Sequence, residues 1–455
     1  MTAQTADVVI CGAGMAGIAA AFYLAVQRGV TNILLADERE PLTLTSDKGT
    51  EAYRNWWPGP DDTMVRFMNR SIDLLEERAE ESDNFFQMNR RGYLFLTADP
   101  DEALRMKQTA AEISQLGAGP LRHHPGSSGY IPSPPEGFHR LPTGADVLLD
   151  PAFIGQQFPF ITDEVVAGLH VRRCGWLNAR RLGHWLLQQA QARGVQLVRS
   201  RVERVAVVKD RVHTIHLQSG DEVSTGAFVI AAGPLLKPVG AMLGLDLPVA
   251  NELHGKIAFR DHRGIVPREA PLMIWNDPLY LPWTAAEREQ LAASDETRWL
   301  LDEFPAGVHF RPRGDAENPL LLIIWTYETK TQEPVWPPNF NPYYREILLR
   351  GLARMIPGLS AYFGQASQAQ VDGGYYCKTP ENRPLIGPLP VPGAYVIGAL
   401  SGYGVMGSQA AGELLAAHVT KSEPPDYASA FLLSRYEDPA YQKLLTTLDA
   451  TSGQL

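Results

Sequence analysis

The run VVICGAGMAGIAAAFYLAVQRGVTNILLAD, residues 8–37, restricts the fold more than any other part of the chain. A short β-branched run, a glycine-rich turn, an apolar helical stretch and a second apolar run ending in an acid read as strand, turn, helix, strand. Gly12, Gly14 and Gly17 have the GxGxxG spacing. In a dinucleotide-binding crossover the first glycine makes the tight turn, the second lets a diphosphate approach the backbone, and the third lets the helix pack on the strand. Met15 and Ala16 lie in the same turn, where free N–H groups at a helix N-terminus attract an anion. Asp37 follows the last glycine by about 20 residues, where a carboxylate accepts from a ribose hydroxyl. Glu38 beside it favours an unphosphorylated ribose, which leaves FAD or NAD as the nucleotide.

At 455 residues the chain has length for two or three interwoven lobes. Its net charge of −10 comes without a basic patch, which argues against nucleic acid and anionic membranes as partners. Cys11, Cys174 and Cys377 are three cysteines without paired spacing, so neither a disulfide framework nor a metal site is expected. The start MTAQTADVVI lacks a basic, then apolar, leader pattern, and no apolar run approaches membrane length. The expectation is a cytoplasmic, reduced protein; nothing in the sequence sets an oligomeric state.

A second GxGxxG, Gly402-Tyr403-Gly404-Val405-Met406-Gly407, follows the strand-like AYVIGAL and precedes the helical SQAAGELLAAHV. No second strand ending in an acid comes after it, so the crossover that would bind another dinucleotide is missing. What remains is a helix N-terminus aimed at something anionic. Between the two glycine motifs, residues 194–234 alternate apolar and polar positions with turns at KDR and SGD. They predict a strand, a small antiparallel meander containing Val202, and a return strand closing on Ala231-Ala232-Gly233-Pro234.

These pieces resemble the D-amino-acid-oxidase-like FAD superfamily, the group with glycine oxidase, monomeric sarcosine oxidase and dimethylglycine dehydrogenase. The resemblance runs through nearly the whole chain and is specific in VVICGAGMAG with Asp37, VERV leading to AAGP, KTPENRPLIGP, and GALSGYGVMGSQAAGELLA. It implies an α/β protein in which a Rossmann-type FAD-binding domain (1–85, 145–245 and 366–455) interleaves with an α+β substrate domain on a large mixed sheet (86–144 and 246–365). It implies oxidation of the C–N bond of an amine or amino acid by hydride transfer to flavin N5. The resulting imine then hydrolyses, and O2 or another acceptor takes the electrons. By this resemblance Gly402, Tyr403, Gly404, Val405 and Met406 form the flavin-edge loop, and Ser46, Lys48, Gly49 and Thr50 contact the cofactor. Val202, Ala232 and Gly233 lie beside it, and Tyr376 projects into the substrate pocket.

The departures matter equally. Gly374 stands where sarcosine oxidase carries its flavin-linking cysteine, and Arg39 to Arg54 contains no histidine, so FAD is expected to be non-covalent. Met406 stands where sarcosine oxidase has a carboxylate-holding lysine, and PLLLIIWTY lacks the lysine of its oxygen-activating strand. Further candidates on the substrate side are His254 and Lys256, which alternation places on one strand face. Arg311 has the fork geometry that grips a carboxylate, and Arg54, Trp56 and Trp57 follow the polar loop. Two other readings stay open at this level: an FAD monooxygenase of related fold, and an FAD-holding sensor without turnover.

Overall fold

The computed structural model describes residues 4–314 and 317–448. Strands Val8–Cys11, Ile33–Asp37, Gln196–Arg199, Phe228–Ile230 and Ala394–Gly398 lie parallel in a six-stranded sheet, with Leu385–Pro388 antiparallel at one edge. Val9, Ile10, Leu34, Leu35, Val229 and Ile230 are all buried, as a parallel sheet covered on both faces requires. Helix Gly404–Val419 packs against the first helix, Met15–Phe22, on one side. The meander Val202–Val208, Arg211–Leu217 and Glu222–Thr225 forms a separate four-stranded sheet with Gln4–Ala6.

A nine-stranded mixed sheet makes the second lobe. Its order is Gln370–Lys378, Ala250–Arg260, Leu320–Ile324, His309–Arg313, Leu272–Trp275, Tyr93–Thr97, Ala167–Val171, Ala145–Leu148 and Leu121–His124. The register pairs Lys256 with Ile324, Ile324 with His309, His309 with Ile274, Ile274 with Phe95 and Phe95 with Leu169. Paired residues share a face, so His254, Lys256, His309 and Arg311 all point the same way. The other face carries Ile257, Phe259, Met273, Trp275 and Leu321 into a core with helix Tyr344–Met355.

Two expected boundaries are corrected by these pairings. The expected cofactor lobe includes residues 145–171, but Ala145–Leu148 and Ala167–Val171 hydrogen-bond within the nine-stranded sheet. Gln370–Lys378, expected beyond the boundary at 366, pairs along its length with Ala250–Arg260. Ladder hydrogen bonds override a division drawn from motif order.

The segment GGYYCKTPENRPLIGP is held by specific contacts. Gly255 and Gly373 face each other across the ladder, and a Cβ on either would meet the Phe340 ring at 2.5 and 2.7 Å. A Cβ on Gly374 would lie 2.8 Å from the Leu44 carbonyl oxygen. The Thr379 hydroxyl donates to the Arg383 carbonyl (2.6 Å) and accepts from its N–H (2.9 Å), closing the TPENR turn. Glu381, 3% exposed, accepts from Arg435 Nε (2.9 Å) and Nη2 (2.7 Å) and from the hydroxyls of Tyr436 and Tyr441 (both 2.9 Å). The C-terminal segment is thereby fastened to the turn. Replacing Glu381 with Gln leaves the Arg435 guanidinium buried without its carboxylate, which costs about 3–5 kcal/mol. The denaturant midpoint should fall accordingly with its slope unchanged; an unaltered midpoint would refute the anchoring role.

Candidate functional site

A cavity of about 410 Å3 runs from Asp37 and Glu38, past Gly12, Gly14, Met15 and Ala16, to Gly402, Gly404 and Val405. The first turn is built by contact. Gly12 has φ +113°, and a Cβ there would sit 2.4 Å from the Ala231 carbonyl oxygen; a Cβ on Gly17 would sit 1.9 Å from the Gly12 oxygen. Gly17 therefore serves packing and does not line the cavity. Asp37 Oδ2 accepts from Ala13 N–H (2.7 Å) and Oδ1 from Arg39 N–H (2.9 Å), so it braces the turn while facing the cavity. Ser46 Oγ accepts from Met15 N–H at 2.9 Å. Val202, Ala232, Gly233 and Gly49 complete this wall.

At the far end the chain enters helix Gly404–Val419 through Ala399 and Ser401, both at positive φ (52° and 43°). Ser401 is 8% exposed and lines the cavity, and its Oγ has no hydrogen-bond partner among the described residues. A buried hydroxyl without a partner beside a helix N-terminus suits a polar, electron-rich ligand edge. Tyr376 closes this end: a Cβ on Gly402 would strike its ring at 2.4 Å, and one on Gly49 would reach its hydroxyl oxygen at 3.1 Å. These groups fit FAD: Asp37 would hold the ribose, the first glycine turn the diphosphate, and Ser401 with Gly402 the flavin edge.

Replacing Asp37 with Ala should weaken FAD binding by about 1.5–3 kcal/mol, or roughly one to two decades. Equilibrium dialysis of FAD against both proteins checks this; equal affinity would remove Asp37 from the ribose site.

Four other expected cofactor contacts lie off the cavity lining. Lys48 Nζ pairs with Asp372 at 3.1 Å, and the Thr50 carbonyl accepts from Arg311 Nε at 2.5 Å. The Tyr403 hydroxyl donates to the Asn382 carbonyl (2.7 Å), and Met406 packs in the core beside the second glycine motif. The polar demand at these positions is met within the protein.

The sheet-side candidates are likewise engaged. Arg311 and Glu51 form a buried ion pair at 2.7 Å, with side chains 3% and 4% exposed. Burial pushes Arg311 down to about 10, and Arg313 approaches the same carboxylate at 3.8 Å. Arg311 is thus already paired with Glu51, and Glu51 is the member of the pair that lines the cavity. His254 stacks on Tyr376, ring centroids 4.0 Å apart and planes 13° from parallel. Its Nε2 lies 3.3 Å from Glu252 Oε2 and its Nδ1 3.1 Å from the Thr326 hydroxyl. Burial holds the imidazole neutral, so it donates from Nε2 and accepts at Nδ1. Glu252, held by His254 and by Lys378 (3.0 Å), is pulled down to about 2. Burial raises the Tyr376 phenol to about 12, so it remains protonated. Arg54 is buried over Trp57 (5.1 Å) and lines, with Trp56, a separate cavity of about 360 Å3.

Glu51, Glu252 and Ser401 escaped sequence reasoning. The signal for Glu51 was slight: an acid just after a polar loop, its positive φ (58°) visible only in the fold.

Lys256 donates to the carbonyls of Asp47 (2.7 Å) and Gly49 (3.2 Å), fastening the loop that lines the cavity. Burial lowers its ammonium from 10.5 to about 8. Between those values the unfolded chain holds more protons, so this group's contribution to stability rises with pH there and is least below pH 8. The stability difference between the parent and Lys256→Met should shift toward the parent, on the order of 3 kcal/mol, across that window. Parallel denaturation curves at each pH, with a constant difference, would contradict the assignment.

Fold and cavity together define a flavoprotein oxidoreductase. Residues 7–418 match the DAO family of FAD dependent oxidoreductases, and the chain belongs to that family. Among curated relatives, mitochondrial dimethylglycine dehydrogenase of Rattus norvegicus is 22% identical over 451 residues, covering 97% of this chain and 45% of that protein. The chain thus spans less than half of that relative's length. FAD-dependent oxidoreductase domain-containing protein 1 of Bos taurus is 21% identical over 468 residues, covering 95% of this chain and 85% of the relative. L-proline dehydrogenase from P. horikoshii superposes with a TM-score of 0.72 at 19% identity, covering 96% of this chain and 98% of that one. Glycine oxidase from Geobacillus kaustophilus gives 0.71 at 17% identity, covering 95% and 99%. These similarities to solved structures concern the fold.

Proposed function

We propose that this protein oxidises the C–N bond of a small amine or amino acid, with FAD held non-covalently. The observation that carries the reading is the end of the cavity, where Tyr376, Ser401 and Gly402 meet under the polar face of the nine-stranded sheet. The names of the relatives, dimethylglycine dehydrogenase, glycine oxidase and L-proline dehydrogenase, support the substrate class. FAD, when bound there, would supply the acceptor for a hydride from the carbon next to nitrogen. The residues orient the donor and exclude water. Tyr376, protonated and stacked on neutral His254, offers a rigid wall and a hydroxyl. Glu252 pairs with Lys378 and accepts from neutral His254, and Glu51 pairs with Arg311, so the charges of this wall are balanced without a substrate.

Non-covalent FAD is supported by the cavity wall. Cys11 and Cys377 line it, both thiols are raised to about 12 by burial, and no histidine contributes among the described residues. A thiol of that kind is a poor nucleophile at neutral pH. At position 374 the Leu44 carbonyl and Lys48 side chain crowd out any larger residue. Acid precipitation of the yellow protein should release all flavin to the supernatant; colour in the pellet would refute this.

Mixing the oxidised holoprotein anaerobically with amines and amino acids tests the reaction, because a substrate bleaches the flavin. Admitting air afterwards then shows whether O2 accepts the electrons. Absence of bleaching by the whole panel would favour the sensor reading. Because Glu51 already occupies Arg311, Arg311→Met should weaken binding of an amino acid and of its decarboxylated amine by similar factors. A loss confined to the amino acid would restore Arg311 as a carboxylate grip.

A further inference from the structure

A smaller cavity of about 250 Å3 has His254, the stacking partner of Tyr376, in its lining and shares no lining residue with the flavin cavity. It is lined by Trp325, Tyr327, Phe340 and Tyr344, with His254 and Thr326 in its wall. The rings form a continuous set: Tyr327 and Tyr344 lie 5.9 Å apart by centroid, Phe340 and Tyr344 5.2 Å, and Trp325 and Tyr327 5.8 Å. Phe340 and Tyr344 reach this place because Gly255 and Gly373 present a patch of ladder without side chains. Tyr344 is 7% exposed, and its Oη has no hydrogen-bond partner among the described residues. Burial raises this phenol well above its ordinary range, so it stays neutral and keeps lone pairs available. Glu328 and Lys330 pair with each other at the rim, which leaves the choice of ligand to the interior.

A small cavity lined by four aromatic rings favours an organic cation, through the negative potential over the ring faces. A buried phenol oxygen without a partner favours an N–H donor on that cation. The geometry points to a second binding site for a small primary or secondary alkylammonium, separate from the flavin cavity and joined to it through the His254–Tyr376 stack. The site does not depend on the proposed oxidation, although it takes the same chemical class.

The test uses the holoprotein and tert-butylammonium, whose carbon next to nitrogen bears no hydrogen and so gives up no hydride. Binding is then measured apart from turnover, by calorimetry, with tert-butanol as the uncharged probe of similar shape. The ammonium should bind at least roughly tenfold more tightly than tert-butanol, the charge being what the rings select. Tyr344→Phe, which keeps the ring and removes the oxygen, should raise the ammonium's Kd roughly fivefold, and Tyr327→Leu by a similar factor. Flavin content and thermal midpoint, measured on each variant, identify any that is misfolded; Tyr344→Phe keeps the packing and decides the matter if Tyr327→Leu fails to fold. Equal binding of the two probes, or an ammonium affinity untouched by Tyr344→Phe, would overturn the proposal. The second of these would place the ligand in the flavin cavity.

Discussion

The structure depends first on two backbones brought into contact at Gly12. The strand Phe228–Ile230 runs on through Ala231, whose oxygen occupies the space where a Cβ on Gly12 would be, and Gly17 seats the first helix on the same turn. A closed knot of this kind fixes three things together: the exit of the first strand, the entry of the helix, and the return of the chain from the meander. Asp37 adds the fourth by accepting from Ala13 N–H, so the second strand is in register with the turn it helps to bind ligand. No side chain larger than hydrogen at positions 12 and 17 permits that approach.

The second constraint is the cost of buried charge. The polar face of the nine-stranded sheet carries the cations Lys256, Arg311 and, on the edge strand, Lys378, together with neutral His254, all buried. Each is matched from within, by Asp47 and Gly49 carbonyls, Glu51, or Glu252. Residue types that read as catalytic in a sequence thus have their partners within the protein along two walls of the cavity. At the Tyr376 end, what lines the cavity is modest in charge: a phenol, a serine hydroxyl, a glycine loop and the Glu51 carboxylate, which belongs to an ion pair.

The cofactor lobe was legible because its requirements are local. Glycine spacing, a β-branched strand, and an acid at the end of the next strand are all written within thirty residues of chain, and the second glycine motif could be separated from the first by its missing crossover. The sheet lobe was legible only in its alternation, which placed His254 and Lys256 on one face. Partner choice was not, because Glu51 reaches Arg311 across 260 positions of sequence and Glu381 reaches Arg435 across 54. The sheet membership of strands 145–148 and 167–171 was hidden for the same reason: their ladder partners, such as Tyr93 for Val171, lie elsewhere in the chain.

Gln370–Lys378 belongs to the nine-stranded sheet by its hydrogen bonds and to the cofactor cavity by Tyr375, Tyr376 and Cys377. A strand with that double membership leaves no hinge between the two lobes at the point where they meet. The position of Tyr376 relative to the sheet is set by backbone ladder geometry, as in a welded joint. The loop 45–50, tied to the same sheet by Lys256, lines the cavity from the other side, so both walls next to Tyr376 take their position from one ladder.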